Sequence, residues 1–481
     1  MDYRDNDEFI MNEDKKRISA FCNDALGTLD AVGVAQKISR GEISAIEAVE
    51  ASIARARSVN PALNAIVTET FDLARKQVKN IIPGSFAGVP SFIKDTDDVE
   101  GVPTLWGSRA VPNKTNRKSK KFVKQFFSLG LICLGKSALP EFGLTATTEP
   151  LSSGITRNPW NTDYSTGGSS GGSAALVAAG VVPIAQGNDG GGSIRIPAAC
   201  CGLVGLKPSR GRLERVEGSN LMPVNILHQG VLTRTVRDTA TFYAGAEKYC
   251  RAPKMPEVGL VQGPGKKRLR IVMFTDTPFG TPCHAESADQ VRRAGMLCEE
   301  LGHSVKEIPC PCTAEMADDF ILYWGLMAFS IRFFGPVIIA PGFDRSKLED
   351  WTINLSNHFR KNCLKTLSTI KRLFRFAKTY NDIFSTCDIL LCPTLSHPTP
   401  EIGYIGPDVP FEEAFERVRQ YVSFTPLQNV SGAPAISLPL GFSSNGLPLG
   451  LQFGAAFGHE KELLELAFEL EETRPWPRID Q

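Results

Sequence analysis

Short apolar runs alternate with segments of helical periodicity along most of the chain. GVPSFIKD reads as a strand, KKFVKQFFSLG as a helix, LICLG as a strand, SAALVAAG as a helix and VVPIAQG as a strand. Before them, SAIEAVEASIARA carries Ser44 and Glu47 in a capping-box pattern and places Ile46, Val49 and Ile53 on one face of a helix. After them, KRLRIVMFTD predicts another strand, and a helix is expected near 286–301. Residues 313–385 read as mostly helical, and KTLSTIKRLFRFAKTY within them reads as a solvated helix with one apolar face. DILLCPT, AISLPLGF and LGLQFGAA return to strand patterns, and EKELLELAFELEE predicts a closing helix. This alternation indicates an α/β fold around a mainly parallel or mixed sheet. There is no internal repeat and no long linker. The expected organisation is a polar, partly disordered extension at 1–28, then a single domain at 29–475, with 313–385 as a helical substrate-pocket region.

Composition changes this picture little. The chain has 481 residues, and its 53 Lys and Arg against 52 Asp and Glu give no general attraction for nucleic acid or acidic membranes. The charged start, MDYRDNDEFIMNEDKKR, lacks the apolar core of a secretory signal. The longest apolar stretch, Tyr323 to Phe343, is interrupted by Arg332, Gly335 and Pro336. It is a poor membrane span and a better buried helix–turn or pocket wall. Twelve cysteines without paired CxxC spacing fit free thiols in a reducing compartment. The six histidines are scattered singly, so no metal site is expected. Localisation is expected to be cytoplasmic.

The candidate chemistry lies in residues 164–210. Two Gly/Ser clusters, GGSSGG and DGGGS, flank one helix–strand unit. A flexible linker would not abut core elements on both sides. Glycines here let backbone N–H groups approach a ligand, and successive N–H groups in a tight loop bind an anion such as a carbonyl-derived oxyanion. Ser193, after Gly190, Gly191 and Gly192, is placed to be a nucleophile.

Two simpler motifs compete. GLICLGKS, Gly130 to Ser137, matches the Walker A pattern, but its four intervening residues are apolar and look like a buried strand. GGSSG, Gly167 to Gly171, matches the nucleophile elbow, yet the preceding TRNPWNTDYST is polar where an apolar strand is required.

Taken together, the segments resemble the amidase-signature family. GGSSGGS (Gly167 to Ser173) and GNDGGGSIRIPA (Gly187 to Ala198) match its core, with 24 residues from Ser169 to Ser193. GVPSFIKDTDDVEG, LGKSALPEFG and NVSGAPAISLPLGFSSNGLPLGLQF match its other blocks, over about residues 29–475. Asn188 departs from the usual Ser or Thr. TRNPWN with GND and NVSG is most similar to the 6-aminohexanoate cyclic-dimer hydrolase branch.

The resemblance implies a large mixed, twisted central sheet with helices on both faces. It implies a triad in which Ser193 attacks an amide carbonyl and Ser169, after a cis peptide, bridges it to Lys94. Lys94 must be neutral to act as base, and burial would lower its pKa. Read from the residues alone, Lys94 would be salt-bridged to Asp95 or Asp97. The N–H groups of Gly190, Gly191, Gly192 and Ser193 would form the oxyanion hole, with Ser170, Asp189 and Arg195 supporting the loops. Trp324, Phe329 and Phe424 are candidate substrate contacts. The expected partner is a small-molecule amide, with no cofactor, no nucleic acid and no membrane; a homodimer is left open. The same signature occurs in the A subunit of tRNA-dependent amidotransferases, which would make the chain a glutaminase.

Overall fold

The computed structural model describes residues 16–480. Three short strands, β1 (Ile66–Glu69), β2 (Pro90–Lys94) and β3 (Ile132–Ser137), form a small sheet in the order β1-β3-β2. A two-stranded ribbon follows, β4 (Arg157–Asn158) with β5 (Asn161–Ser165). The remaining strands are β6 (Ile184–Asp189), β7 (Val204–Lys207), β8 (His228–Thr233), β9 (Arg270–Met273), β10 (Ser304–Glu307), β11 (Ile389–Pro393), β12 (Ala435–Phe442) and β13 (Pro448–Ala455). They build one eight-stranded sheet ordered β10-β9-β11-β13-β12-β7-β8-β6.

The sheet is mixed, as expected, but not mainly parallel. Only β10–β9 and β9–β11 run parallel, and every pairing from β11 to β6 is antiparallel. The tight Ser443–Leu447 turn explains one such pair, since it joins β12 to β13 directly. Side chains alternate between two cores along the strands. Ile184, Val231, Ile389 and Leu391 face one apolar cluster, while Ala185, Leu232, Leu390 and Cys392 face others on the opposite side. Helices Val236–Tyr249 and Glu460–Thr473 cover the first face. Gly171–Ala178, Arg195–Cys201 and the long Ala314–Ile338 cover the second.

Of the extension expected at 1–28, residues 1–15 lie outside the described residues. Residues 16–28 are laid along the body: Ile18 N–H donates to Pro159 O at 2.8 Å, Ala20 N–H to Ala179 O at 2.7 Å, and Leu26 is buried in the core. The capping box at Ser44 and Glu47 is formed.

Ala314–Ile338 is long and apolar enough to cross a membrane by length and composition. In this fold it packs against helix Asp350–Asn362 and walls a cavity, with Phe343 folding back on Gly335. GLICLGKS forms β3, not a phosphate loop. Its Lys136 is fully buried, 3.0 Å from Asp95 Oδ1 and 3.0 Å from Thr104 Oγ1.

Candidate active site

Three segments converge beneath one cavity. Lys94 ends β2, which has no backbone ladder to the large sheet. Side chains make the join: Ser91 Oγ donates to Ile184 O at 2.8 Å, and Gln186 Oε1 accepts Lys94 N–H at 2.7 Å. The loop after β5 carries Ser169 and Ser170, and the Gly168–Ser169 peptide is cis. The loop after β6 carries Gly190 to Ser193. Ser170 N–H donates to Ser193 O at 3.3 Å, which locks the two loops together.

Lys94 is completely buried. Its Nζ lies 2.7 Å from Ser169 Oγ, 3.0 Å from Ser170 Oγ and 2.6 Å from Asn188 Oδ1. Among the described residues it has no carboxylate partner: Asp95 is taken by Lys136, and Asp97 accepts from Thr96, Gln186 and Gln229. Burial therefore prevails over the more distant Asp97 and Asp189 charges, and the Lys94 pKa falls to about 7.

The three contacts suit a neutral amine, which has two N–H donors and one lone pair. Asn188 Oδ1 can only accept, and its amide nitrogen donates to Thr96 Oγ1 at 2.7 Å, which fixes its orientation. The Ser170 hydroxyl spends its proton on Asn188 O at 3.3 Å, so it accepts from Nζ. Ser169 is left as the one contact able to donate to the lone pair. Asn188, the departure from the family pattern, thus orients the Lys94 amine. Sequence could place it near the loop but not against Lys94.

Ser193 lines the cavity, and among the described residues its hydroxyl has no hydrogen-bond partner. Of the four N–H groups expected in an oxyanion hole, that of Gly192 is already donated to Asp189 Oδ1 at 2.8 Å. Gly190, Gly191 and Ser193 remain. Gly192 adopts φ +131°, and a Cβ there would lie 2.4 Å from Thr425 Oγ1, so only glycine fits. Thr425 Oγ1 in turn donates to Gly191 O at 2.5 Å, turning that peptide's carbonyl away from the cavity.

Asp189 and Arg195 hold the loop from below. Arg195 Nε and Nη2 reach the two Asp189 oxygens at 3.0 and 2.9 Å. Its remaining donors go to Gln428, Asn429 and Gln452, which ties the late NVSG…LQF block to the catalytic loop. Burial alone would raise the Asp189 pKa. The Arg195 charge and hydrogen bonds, with Lys207 and Asn429, carry it well below the usual range.

The cavity above encloses about 820 Å³ including its open mouth, and its lining is almost wholly apolar. Met316, Ala317, Phe320, Ile321 and Trp324 present one face of the long helix to it. Phe320 and Trp324 stack at 5.7 Å and press on the glycine loop: a Cβ at Gly191 would be 3.0 Å from Phe320. Trp324 therefore lines the cavity. Phe329 does not line the cavity; the helical phase turns it toward Phe333 and Phe359, at 4.6 and 5.2 Å. Phe424 also points away, packing on Phe274 at 6.0 Å, while its neighbours Ser423, Pro426 and Leu427 face the cavity. Trp351, Phe279 and the Phe415–Val422 face were missed. The only sequence signal for the last was the helical spacing of Phe415, Val418, Arg419 and Val422.

The Amidase family model matches residues 47–464. The chain belongs to the amidase signature family. It is 48% identical over 465 residues to a Mycobacterium leprae (strain TN) protein that bears the name amidase AmiC, covering 96% of this chain and 99% of that one. It is 34% identical over 479 residues to the 6-aminohexanoate-cyclic-dimer hydrolase of Paenarthrobacter ureafaciens, covering 93% and 95%. A solved 6-aminohexanoate cyclic dimer hydrolase, complexed with substrate, superposes with a TM-score of 0.86 at 31% identity over 94% of this chain and 98% of that one. This amidase is accordingly a hydrolase of carbon–nitrogen amide bonds, and its α/β sheet is that of the family.

Proposed function

We propose that this amidase cleaves a neutral, largely apolar amide, of the kind the 6-aminohexanoate cyclic dimer presents, through an acyl-enzyme on Ser193. One observation carries the reading: a buried Lys94, without a carboxylate partner among the described residues, whose Nζ lies 2.7 Å from Ser169 Oγ beneath the Ser193 loop. Ser193 gives its proton to Ser169 as Ser169 gives its own to Lys94 Nζ. Such contacts tighten only when substrate is bound. Ser193 Oγ bonds to the carbonyl carbon, and the oxygen takes up negative charge against the N–H groups of Gly190, Gly191 and Ser193. One such donor is worth about 3–4 kcal/mol. The C–N bond then breaks, and the Lys94 proton returns through Ser169 to the leaving nitrogen. Water attacks the ester, surrenders a proton along the same relay, and frees the carboxylic acid and Ser193.

The pocket supports an apolar substrate over glutamine. The one charged lining residue among the described residues, Arg419, is engaged by Asp318 at 3.0 Å, by Glu416 at 3.6 Å and by the Phe279 ring at 3.8 Å. A zwitterionic amino acid would bury both charges there without partners. The test is amine release from aliphatic amides, glutamine, aryl anilides and the 6-aminohexanoate cyclic dimer, with Ser193→Ala beside the wild type. Turnover of the cyclic dimer or an anilide, lost in the variant, is expected. Preference for glutamine would overturn the substrate reading, and an active Ser193→Ala would overturn the mechanism.

A further inference from the structure

The helix Thr366–Asp382, with the turn Cys363–Lys365 before it, packs on the body through one stripe of side chains. Thr369 Oγ1 donates to Asp319 Oδ1 at 2.9 Å, Leu373 joins an apolar cluster, and Tyr380 OH accepts Gln428 Nε2 at 3.0 Å. Beside them, Arg372 Nε donates to Asp319 Oδ2 at 2.6 Å. The sequence pattern led to the expectation of a single apolar face, and the inward stripe is that face.

The structure shows a second one. Leu364 is 98% exposed, Leu367 77% and Phe374 54%. Leu367, Lys371, Phe374 and Lys378 follow at steps of four, three and four residues, so they form one outward stripe, with Leu364 a turn before it. An exposed apolar stripe marks a surface that something covers.

The charges on this face carry one sign. Lys365, Lys371, Arg375 and Lys378 are exposed and form no ion pair among the described residues. Residues 361–381 contain no Asp or Glu. Glu315 and Asp319, contributed by the long helix, are both paired with Arg372. The balance of 53 basic and 52 acidic residues belongs to the whole chain, whereas this face is locally cationic.

Charge and apolarity together select the partner. A second copy across a two-fold axis would set like charges against each other. Nucleic acid phosphates would pair with the cations but leave the leucines in water. A bilayer with anionic headgroups meets both needs. Leucine and phenylalanine enter the acyl boundary, and the lysine stems reach back to the headgroups. We propose that this face lies on an anionic lipid surface, with the helix axis in the membrane plane. This replaces the expectation of no membrane partner, which followed from net charge. It is independent of the substrate reading, since none of these residues lines the catalytic cavity.

The test is co-sedimentation of the full-length protein with vesicles of phosphatidylcholine, alone or in equal parts with phosphatidylglycerol. Binding to the anionic vesicles is expected to be at least about tenfold tighter, and to weaken as salt is raised. The double variant Lys371→Glu/Lys378→Glu lowers it at least about tenfold. Leu364→Ser/Leu367→Ser lowers it by about tenfold as well, which a purely electrostatic contact would not show. All four side chains are exposed, so thermal unfolding of both variants is expected to match the wild type. Absent or equal binding to the two vesicle types, or anionic binding that survives both double variants, would overturn the proposal. So would a wild-type dimer that Leu364→Ser/Leu367→Ser converts to monomer, because a second copy would then cover the face. Binding of duplex RNA in place of vesicles, lost in the lysine variant and kept in the leucine variant, would also overturn it.

Discussion

Lys94 at the end of β2 and Ser169 and Ser193 on their loops are tied together by buried hydrogen bonds, whereas Met316, Phe320 and Trp324 face them from a helix that offers no polar group to the cavity. The floor of the pocket is polar and closed. All five N–H donors of Arg195 find acceptors, and Asp189 binds Arg195, Asn429 and two backbone N–H groups. Its geometry is over-determined, as preorganised catalysis requires. The wall is apolar and nondirectional, so it can change shape preference without disturbing the chemistry. On the proposed function, the contrast assigns reaction type and substrate choice to separable parts of this fold.

The largest expected effect is on the floor. Lys94→Met should lower kcat at least about 10³-fold with little change in fold, because the serine then lacks a base. A loss below tenfold would move the base elsewhere. Arg195→Lys keeps the charge but has three donors for five acceptors. It should cost about 2–4 kcal/mol of stability in chemical denaturation, and unchanged stability would separate the floor from its support. Asn188→Ala removes the acceptor that aims the amine. It should lower kcat about 10–100-fold with KM nearly unchanged, and Asn188→Ser should restore much of that. A change confined to KM would make Asn188 a substrate contact. The smallest effect belongs to the wall. Trp324→Ala should raise KM for an anilide about tenfold and leave kcat for a short aliphatic amide within about twofold. A collapse of both would show that wall and floor are coupled.

Legibility in the sequence followed the same division. The floor was placed by resemblance to the amidase-signature blocks, whose glycines, serines and lysine are constrained one by one; Gly192 admits no side chain, whereas Lys94 read from the residues alone was expected in a salt bridge. Composition could not tell Lys94 from Lys136. Both are fully buried on adjacent strands, and the difference is that Asp95 reaches Lys136 and not Lys94. Strand direction also escaped, since apolar runs buried on both faces look alike in parallel and antiparallel sheets. The wall was read poorly because its residues resemble any core: Phe329 and Phe424 are as apolar as Phe320 and Phe415, and only helical phase and turn geometry decide which pair lines the cavity.

The central claim is that neutral Lys94 activates Ser193 through Ser169. It is tested most directly by the pH dependence of Ser193 sulfonylation with phenylmethanesulfonyl fluoride, followed by mass. A depressed lysine pKa means that the reactive amine is lost as pH falls through it. The rate should therefore rise with pH through a midpoint of about 7, and in Lys94→Met both the limb and most of the rate should vanish. A rate that is flat from pH 5 to 9, or a limb that survives Lys94→Met, would contradict the account.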